Sequence, residues 1–222
     1  MNENGVWRTV GGRRIFIKDG EDLTSAMKNS GKFNNENKKE EKAEKEQFGN
    51  SELNEPLTEQ DKKVLDYYVM DAGAYDVNYV LRNEGAIPTE NDKRAIESLD
   101  NAINKATLNK DIEVYRYISD ENVFYGLKEN DVYQDKGFVS TTYNNNTDRE
   151  NNFQDYKIKA VISAKKGDSA LDVSNIYDKK TESPESEIIF NRNTKLKLKK
   201  IENVRDKYDE FNRKIYYFET QK

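Results

Sequence analysis

The sequence contains no cysteine and no histidine among its 222 residues. Their absence excludes disulfides, thiol nucleophiles, imidazole general bases and zinc sites built from the usual ligands. If the chain is an enzyme, its chemistry must come from carboxylates, arginine, hydroxyl groups and tyrosine, and no metal is expected. The missing cysteine does not identify a compartment, because cytosolic and secreted proteins can both lack it.

Long apolar runs and an excess of positive charge are missing as well. No apolar run approaches the roughly 18–20 residues that span a membrane, and none near Met1 has the form of a signal-peptide core. We therefore expect a soluble protein with no membrane partner. The formal net charge is −5. Such a chain lacks the basic surface that neutralises phosphates, so no nucleic-acid partner is expected.

Three regions are predicted along the chain. Residues 1–33 predict a small β-hairpin module, because strand-like segments flank Gly11 and Gly12, and paired glycines supply the positive φ that tight turns need. Residues 34–56 are dense in charge and poor in apolar side chains, which is typical of a linker or of a solvated helix. Residues 57–222 have the pattern of a globular domain.

The periodicity of the globular region predicts its fold class. A helix is expected after Thr58 and is ended by Gly85 and Pro88. Its apolar positions are Leu65, Tyr68, Ala72, Tyr75 and Tyr79. A second helix is expected near Thr89, and after Lys110 the period changes to two, as in strands. Helices followed by strands predict an α+β fold, with two packed and mostly antiparallel β-sheets.

Arg116 is a guanidinium on the aliphatic face of the predicted strand Ile112–Ile118. A buried charge needs a partner. One interpretation is that Arg116 pairs with a core carboxylate or extends to the rim of the sheet. The other is that it binds an anion, because the planar guanidinium suits phosphate or carboxylate.

Ser140 lies in the strand-like segment FVSTT. Serine and threonine are ordinary strand residues, so a structural role is one interpretation. The chain has no histidine to act as a base, and we therefore expect Ser140 to orient another group rather than to attack. The Asn-rich segment that follows carries Arg149 and predicts a flexible loop over a polar ligand.

Glu185 and Glu187 stand two residues apart at the start of the segment ESEIIF. Side chains alternate along a strand, so both carboxylates would lie on one face, with Cα atoms roughly 6.5–7 Å apart. Like charges this close are costly. The pair is therefore either a solvated strand edge or a functional site. Tyr177 and Glu182 lie on a predicted loop just before it.

Taken in order, the motifs VYRYIS, FVSTT and ESE resemble bacterial ADP-ribosyltransferase toxins of the Arg–Ser–Glu class. The helical segments LDYYVMDAGAYDVNYVLRN and AIESLDNAINKATLNKDIEVYR are similar to that family too, and the likeness covers roughly residues 57–222. It implies the ADP-ribosyltransferase fold and mono-ADP-ribosyl transfer from NAD, the co-substrate, to an arginine of a host protein. Two alternatives stay open: an NAD glycohydrolase, and a non-catalytic phage structural or interaction protein with an inherited fold.

The resemblance also implies roles for individual residues. Arg116 would hold the NAD phosphates and the nicotinamide ribose, and Ser140 would hold the catalytic Glu187 in place. Glu187 would take the ribose 2′-hydroxyl and stabilise the cation, while Glu185 would address the acceptor, because E-x-E in this family accompanies arginine acceptors. The remaining implied site residues are Thr141 and Thr142 beside the nicotinamide, Arg149 beside the phosphates, and Tyr177 and Glu182 on the substrate-recognition loop. Thr142 stands where the family usually has serine.

The first 33 residues resemble a different group of proteins. The segment GVWRTVGGRRIFIKDGEDLTSAMKNSGKF is similar to a short module of phage head-morphogenesis and polyvalent proteins. This implies a phage-encoded effector, placed in the bacterial host cytoplasm or associated with the virion, with virion components as further partners. Delivery to the extracellular space is left open.

Overall fold

The computed structural model describes residues 5–10, 13–20, 47–69, 71–145, 156–174, 186–205 and 212–221. The chain divides into two compact units, residues 1–44 and residues 45–222. In the first unit, strand β1 (Gly5–Val10) pairs antiparallel with β2 (Arg13–Lys18). None of the described helices is long and apolar enough to cross a membrane.

The second unit begins with a small three-stranded sheet. Its strands, in the order β3-β4-β5, are β3 (Gln47–Phe48), β4 (Ser51–Leu53) and β5 (Ala106–Leu108). The predicted linker or solvated helix over residues 34–56 is therefore wrong for residues 47–53, which form β3, β4 and the turn between them. A buried carboxylate holds the turn between β3 and β4 in place. The backbone N and the side-chain Nδ2 of Asn50 both donate to Asp172 Oδ2, at 2.7 Å each.

The region predicted to be helical contains three helices. They are α1 (Glu59–Val69), α2 (Asp71–Arg82) and α3 (Glu90–Asn104). The single helix predicted after Thr58 is thus two helices, and the glycine near their junction allows close packing. A Cβ at Gly73 would lie 1.9 Å from the carbonyl oxygen of Tyr67. Thr89 caps α3 as predicted, since its hydroxyl accepts from the backbone N of Asp92.

The split changes which side chains of α2 are buried. Tyr75 and Tyr79, predicted on a buried stripe, are 67% and 51% exposed and stack on each other with ring centroids 6.0 Å apart. Among the described side chains of α2, Val77 and Asn78 are buried instead, and the predicted apolar position Ala72 lies outside them. The second helix starts with its own rotation, so the apolar period of α1 does not continue through α2.

The main sheet has eight strands in the order β10-β11-β8-β6-β9-β13-β12-β7. Their bounds are β6 (Ile112–Ile118), β7 (Val132–Gln134), β8 (Val139–Thr142), β9 (Ile158–Ala164), β10 (Ala170–Asp172), β11 (Glu187–Phe190), β12 (Lys195–Arg205) and β13 (Asn212–Gln221). Neighbouring strands are antiparallel except β9 and β13, which are parallel. Strands β6 and β8 share a single residue pair, Tyr115 with Thr142.

Two apolar cores show that the eight-stranded sheet forms two packed layers. One core joins side chains from both ends of the strand order, such as Ala170 of β10 and Leu196 of β12. The sheet therefore folds over on itself beside the narrow β6–β8 contact. The second core lies between the helices and the strands β8, β10 and β11, and includes Tyr68, Phe138 and Ile189. The α+β class with packed, mostly antiparallel layers is confirmed.

Candidate functional site

The three predicted motifs lie on three adjacent strands. Strands β11, β8 and β6 are neighbours in the main sheet. Glu187 of β11 is opposite Thr142 of β8, and Thr142 is opposite Tyr115 of β6, next to Arg116. Ser140 and Thr142 share one face of β8, because side chains alternate along a strand. The fold thus brings together motifs that lie far apart in the sequence.

Arg116 and a second arginine, Arg82 of α2, meet on one buried carboxylate. Arg116 Nη1 lies 2.9 Å from Asp135 Oδ2. Arg82 lies 2.8 Å from Asp135 Oδ1 through Nε and 3.1 Å from Oδ2 through Nη2. The Asp135 residue is only 2% exposed and also accepts the Gly137 backbone N–H. The interpretation that Arg116 pairs with a core carboxylate is confirmed.

The charge balance of this cluster favours an anion. Burial alone would raise the pKa of Asp135, but Arg116 and Arg82 lower it by a greater amount, so the pKa lies below its usual range. Asp135 is therefore ionised at neutral pH. Two guanidinium groups and one carboxylate leave a net charge of +1. The guanidinium side chains are partly exposed, 34% for Arg82 and 21% for Arg116, so an anion can reach them.

Helix α2 also binds the backbone at the start of β8. The Phe138 N–H donates to Asn78 Oδ1 at 2.8 Å, and the Phe138 carbonyl accepts from Arg82 Nη2 at 3.0 Å. Asn78 and Arg82 are one helical turn apart, so one face of α2 reaches both groups. A Cβ at Gly137 would lie 2.4 Å from Asn78 Oδ1, so the approach needs glycine.

Sequence reasoning missed Asn78, Arg82 and Asp135 as site residues. The sequence contains one signal for Asn78 and Arg82: they are polar residues four positions apart on an amphipathic helix. Asp135 had no such sign, because a single acidic residue before a strand is common. Its role depends on two arginines that come from other parts of the chain.

Ser140 contacts a buried tyrosine of α1. Its Oγ lies 3.1 Å from the hydroxyl of Tyr68, which also accepts from Asn78 Nδ2 at 2.9 Å. Tyr68 is 0% exposed. Burial raises its pKa, the charge of Glu187 raises it further, and the charge of Arg116 opposes this. Both charged groups therefore act on the same buried hydroxyl as Ser140.

The hydroxyl groups of the two threonines after Ser140 form hydrogen bonds within the sheet and the turn that follows β8. Thr141 Oγ1 donates to the Ile188 carbonyl at 2.8 Å, and Thr142 Oγ1 accepts from the Asn144 backbone N at 3.0 Å. Both threonines are buried. Their implied place beside the nicotinamide stays a prediction.

The backbone changes direction between the two predicted carboxylates. Strand β11 begins at Glu187, and Ser186 has a φ of 51°, in the left-handed region that non-glycine residues rarely adopt. The Ser186 carbonyl accepts from the Tyr143 backbone N at 3.0 Å. The regular strand predicted through the pair is therefore wrong at Ser186, and Glu185 itself lies outside the described residues.

Four predicted site residues lie outside the described residues: Arg149, Tyr177, Glu182 and Glu185. Their implied roles stay predictions. Over the part of the chain that the structure describes, no group of three or more His, Cys, Asp or Glu side chains could hold a metal ion.

Comparison with known proteins adds a family and a fold. The family model described as ADP-ribosyltransferase exoenzyme matches residues 32–217. Plx2a, an ADP-ribosyltransferase toxin from Paenibacillus larvae, has a similar structure, with a TM-score of 0.63 and 21% identity over 75% of this chain and 88% of that one. The C3 exoenzyme of Clostridium limosum gives 0.61 and 14% over 75% and 87%. C3stau2 of S. aureus, solved with NAD, gives 0.60 and 17% over 75% and 88%. No curated protein sequence matches the chain.

Proposed function

Because the chain belongs to the ADP-ribosyltransferase exoenzyme family, whose members transfer ADP-ribose from NAD, we propose that this protein modifies an arginine side chain of a host protein and releases nicotinamide. The observation that carries the proposal is the placement of Arg116, Ser140 and Glu187 on three adjacent strands. Arg116 is also one member of the guanidinium pair on Asp135.

The guanidinium pair suits the pyrophosphate of NAD. Arg82 and Arg116 are both partly exposed, and Asp135 holds them close together despite their like charge. Guanidinium groups bind phosphate oxygens through parallel N–H groups. The pair would therefore fix the NAD molecule by its phosphates and leave the nicotinamide end towards β8 and β11.

Glu187 would act on the bond that breaks. Cleavage between nicotinamide and C1′ of the ribose builds positive charge on the sugar, as in glycoside hydrolysis. A carboxylate held on a strand beside that carbon stabilises the transition state more than the ground state. The bonding electron pair leaves with nicotinamide, which is neutral once released, so no general acid is needed and the absence of histidine is no obstacle.

The choice of arginine rests on the second carboxylate, Glu185. An arginine side chain is cationic at neutral pH and must lose a proton as its nitrogen forms the new bond to C1′. Glu185 is close enough in sequence to Glu187 to orient that guanidinium and accept the proton.

The test uses labelled NAD with host proteins, and compares the wild type with Glu187→Gln and Glu113→Gln. Glu113 is an exposed carboxylate of β6 and serves as the control. We expect Glu187→Gln to lower both transfer and nicotinamide release by at least about a hundredfold, and Glu113→Gln to change neither. Mass spectrometry should locate ADP-ribose on arginine.

Three results would contradict the proposal. Nicotinamide release with no labelled protein indicates a glycohydrolase. Label on a residue other than arginine contradicts the proposed acceptor. Equal, near-zero turnover in the wild type and Glu187→Gln indicates a non-catalytic protein. The variant Glu185→Gln should lose transfer to arginine but keep part of the hydrolysis, and equal loss of both would contradict the separate roles of the two carboxylates.

A further inference from the structure

The buried hydrogen bonds around Ser140 have a definite direction. The chain of contacts begins at the Phe138 backbone N–H, which donates to the Asn78 side chain at 2.8 Å. A backbone N–H can only donate, so the amide atom that faces it must be the oxygen. The amide nitrogen of Asn78 is then the atom that faces Tyr68, and it donates to the Tyr68 hydroxyl oxygen at 2.9 Å.

The proton of the Tyr68 hydroxyl has one partner available in this arrangement. Tyr68 is 0% exposed, and its hydroxyl contacts Asn78 and Ser140. The Asn78 nitrogen cannot accept, so the phenol proton must go to Ser140 Oγ, 3.1 Å away. The reverse direction would leave a buried O–H without an acceptor, which costs about 1–3 kcal/mol.

This direction determines where the Ser140 proton can go. Because Ser140 accepts from Tyr68, its own O–H is available to donate to a second group. Ser140 and Glu187 lie on the same face of adjacent strands, where Ser140 is opposite Ile189, two residues along β11 from Glu187. Diagonal neighbours of this kind are within reach of a long side chain such as glutamate.

We propose that Tyr68 is a positioning residue, which donates to Ser140 and so directs the Ser140 hydroxyl proton towards the Glu187 carboxylate. The inference rests on the proposed function, since it assigns Tyr68 a part in orienting the carboxylate that acts at the breaking bond. Because Tyr68 is fully buried, it would touch neither NAD nor the acceptor. It acts from helix α1, through the serine, on a group that belongs to another strand.

Removal of the Tyr68 hydroxyl tests this arrangement. Tyr68→Phe keeps the ring and its edge contact with Phe138, whose centroids are 5.8 Å apart. We expect kcat for nicotinamide release to fall about tenfold, with KM for NAD nearly unchanged. Tyr67→Phe is the matched control, because Tyr67 is the neighbouring residue, is 43% exposed and hydrogen-bonds only at the surface with Asp76. It should behave as the wild type.

A double-mutant cycle separates positioning from a general loss of structure. If Tyr68 acts through Ser140, Tyr68→Phe should have no further effect on kcat in a Ser140→Ala background. A second variant, Asn78→Asp, reverses the direction without removing a group. The new carboxylate would accept the Tyr68 proton, Ser140 would have to donate to Tyr68, and kcat should fall as in Tyr68→Phe.

The outcomes distinguish this inference from the proposed function. Wild-type activity with an unchanged Tyr68→Phe variant, or additive losses in the cycle, overturns only the role of Tyr68. A wild type that releases no nicotinamide overturns the proposed function and this inference together. Thermal unfolding of each variant, measured alongside, shows whether a variant with a lower kcat is still folded.

Discussion

At the scale of single residues, Asp135 is the point on which the two arginines of the site depend. It is buried, and it receives hydrogen bonds from Arg82, Arg116 and the Gly137 backbone. A carboxylate in this position does two things at once. It offsets the repulsion between the guanidinium groups, and it fixes their orientation towards a ligand.

Asp135→Asn should loosen the guanidinium pair. We expect KM for NAD to rise about tenfold with a smaller change in kcat, and the free energy of unfolding at pH 7 to fall by about 2 kcal/mol. Kinetics and urea unfolding measure the two effects. Glu84→Gln is the control, because Glu84 pairs with Lys136 at the surface, and it should alter neither quantity.

The same residue predicts a dependence on pH. Its pKa is lower in the folded state, so it contributes stability above the unfolded pKa of about 4, and this contribution is lost as the pH falls through the depressed folded value. As the pH falls below about 4, the free energy of unfolding of Asp135→Asn should therefore decrease less than that of the wild type. Parallel acid unfolding curves of the two proteins would contradict this.

Gly137 gives a second prediction at the residue scale. Gly137→Ala places a Cβ 2.4 Å from Asn78 Oδ1 and 2.9 Å from Arg82 Nε, so α2 must move away from β8. We expect a loss of about 2 kcal/mol in the free energy of unfolding and a higher KM for NAD. Gly85→Ala is the matched control, since a Cβ there meets nothing within 4 Å.

At the scale of elements, the sequence predicts where helices start better than it predicts how long they are. Thr58 and Thr89 were both identified as start signals, and each forms a capping box with the aspartate three residues on, Asp61 and Asp92. The boundary between α1 and α2 is not predicted by the apolar period, and the close approach of Gly73 to the Tyr67 carbonyl beside it is a contact that the period does not show.

The two capping boxes should differ in what they contribute. Asp61 is buried and also pairs with Lys105 Nζ at 2.6 Å, which joins α1 to the end of α3, whereas Asp92 is only part of its own cap. Asp61→Ala should cost about 2–3 kcal/mol in the free energy of unfolding, because it removes the aspartate half of the capping box and leaves Lys105 without its partner. Asp92→Ala should cost clearly less. Equal losses in urea unfolding would mean that the Lys105 pair contributes nothing.

At the scale of the whole molecule, the compact unit that carries the site begins earlier in the chain than the apolar pattern predicts. The apolar pattern placed it at residue 57, while the compact unit begins at Lys45 and includes β3 and β4. The reason is the fully buried Asp172, which accepts from Asn50 and whose backbone N donates to Ser51 Oγ.

Truncation tests which boundary is right. A chain that begins at Lys45 should fold and release nicotinamide at the wild-type rate, because it holds every described site residue. A chain that begins at Leu57 lacks Asn50 and Ser51, so the buried Asp172 carboxylate loses both donors to its Oδ2 and, among the described residues, keeps only the donors of Ser174 on Oδ1. We expect it to lose more than about 3 kcal/mol in the free energy of unfolding. Equal stability of the two chains would restore the boundary at residue 57.

The sequence by itself determined the α+β class, the order of the motifs and the kind of chemistry available to them. These features depend on residue types and on short periods along the chain. The absence of cysteine and histidine further reduced the number of possible reaction types. Only the tertiary structure decided which partners the site residues have. Arg82 meets Asp135 across 53 positions, Tyr68 meets Ser140 across 72, and Asn50 meets Asp172 across 122. Such contacts depend on how layers pack and not on local spacing, so no pattern along the chain could predict them.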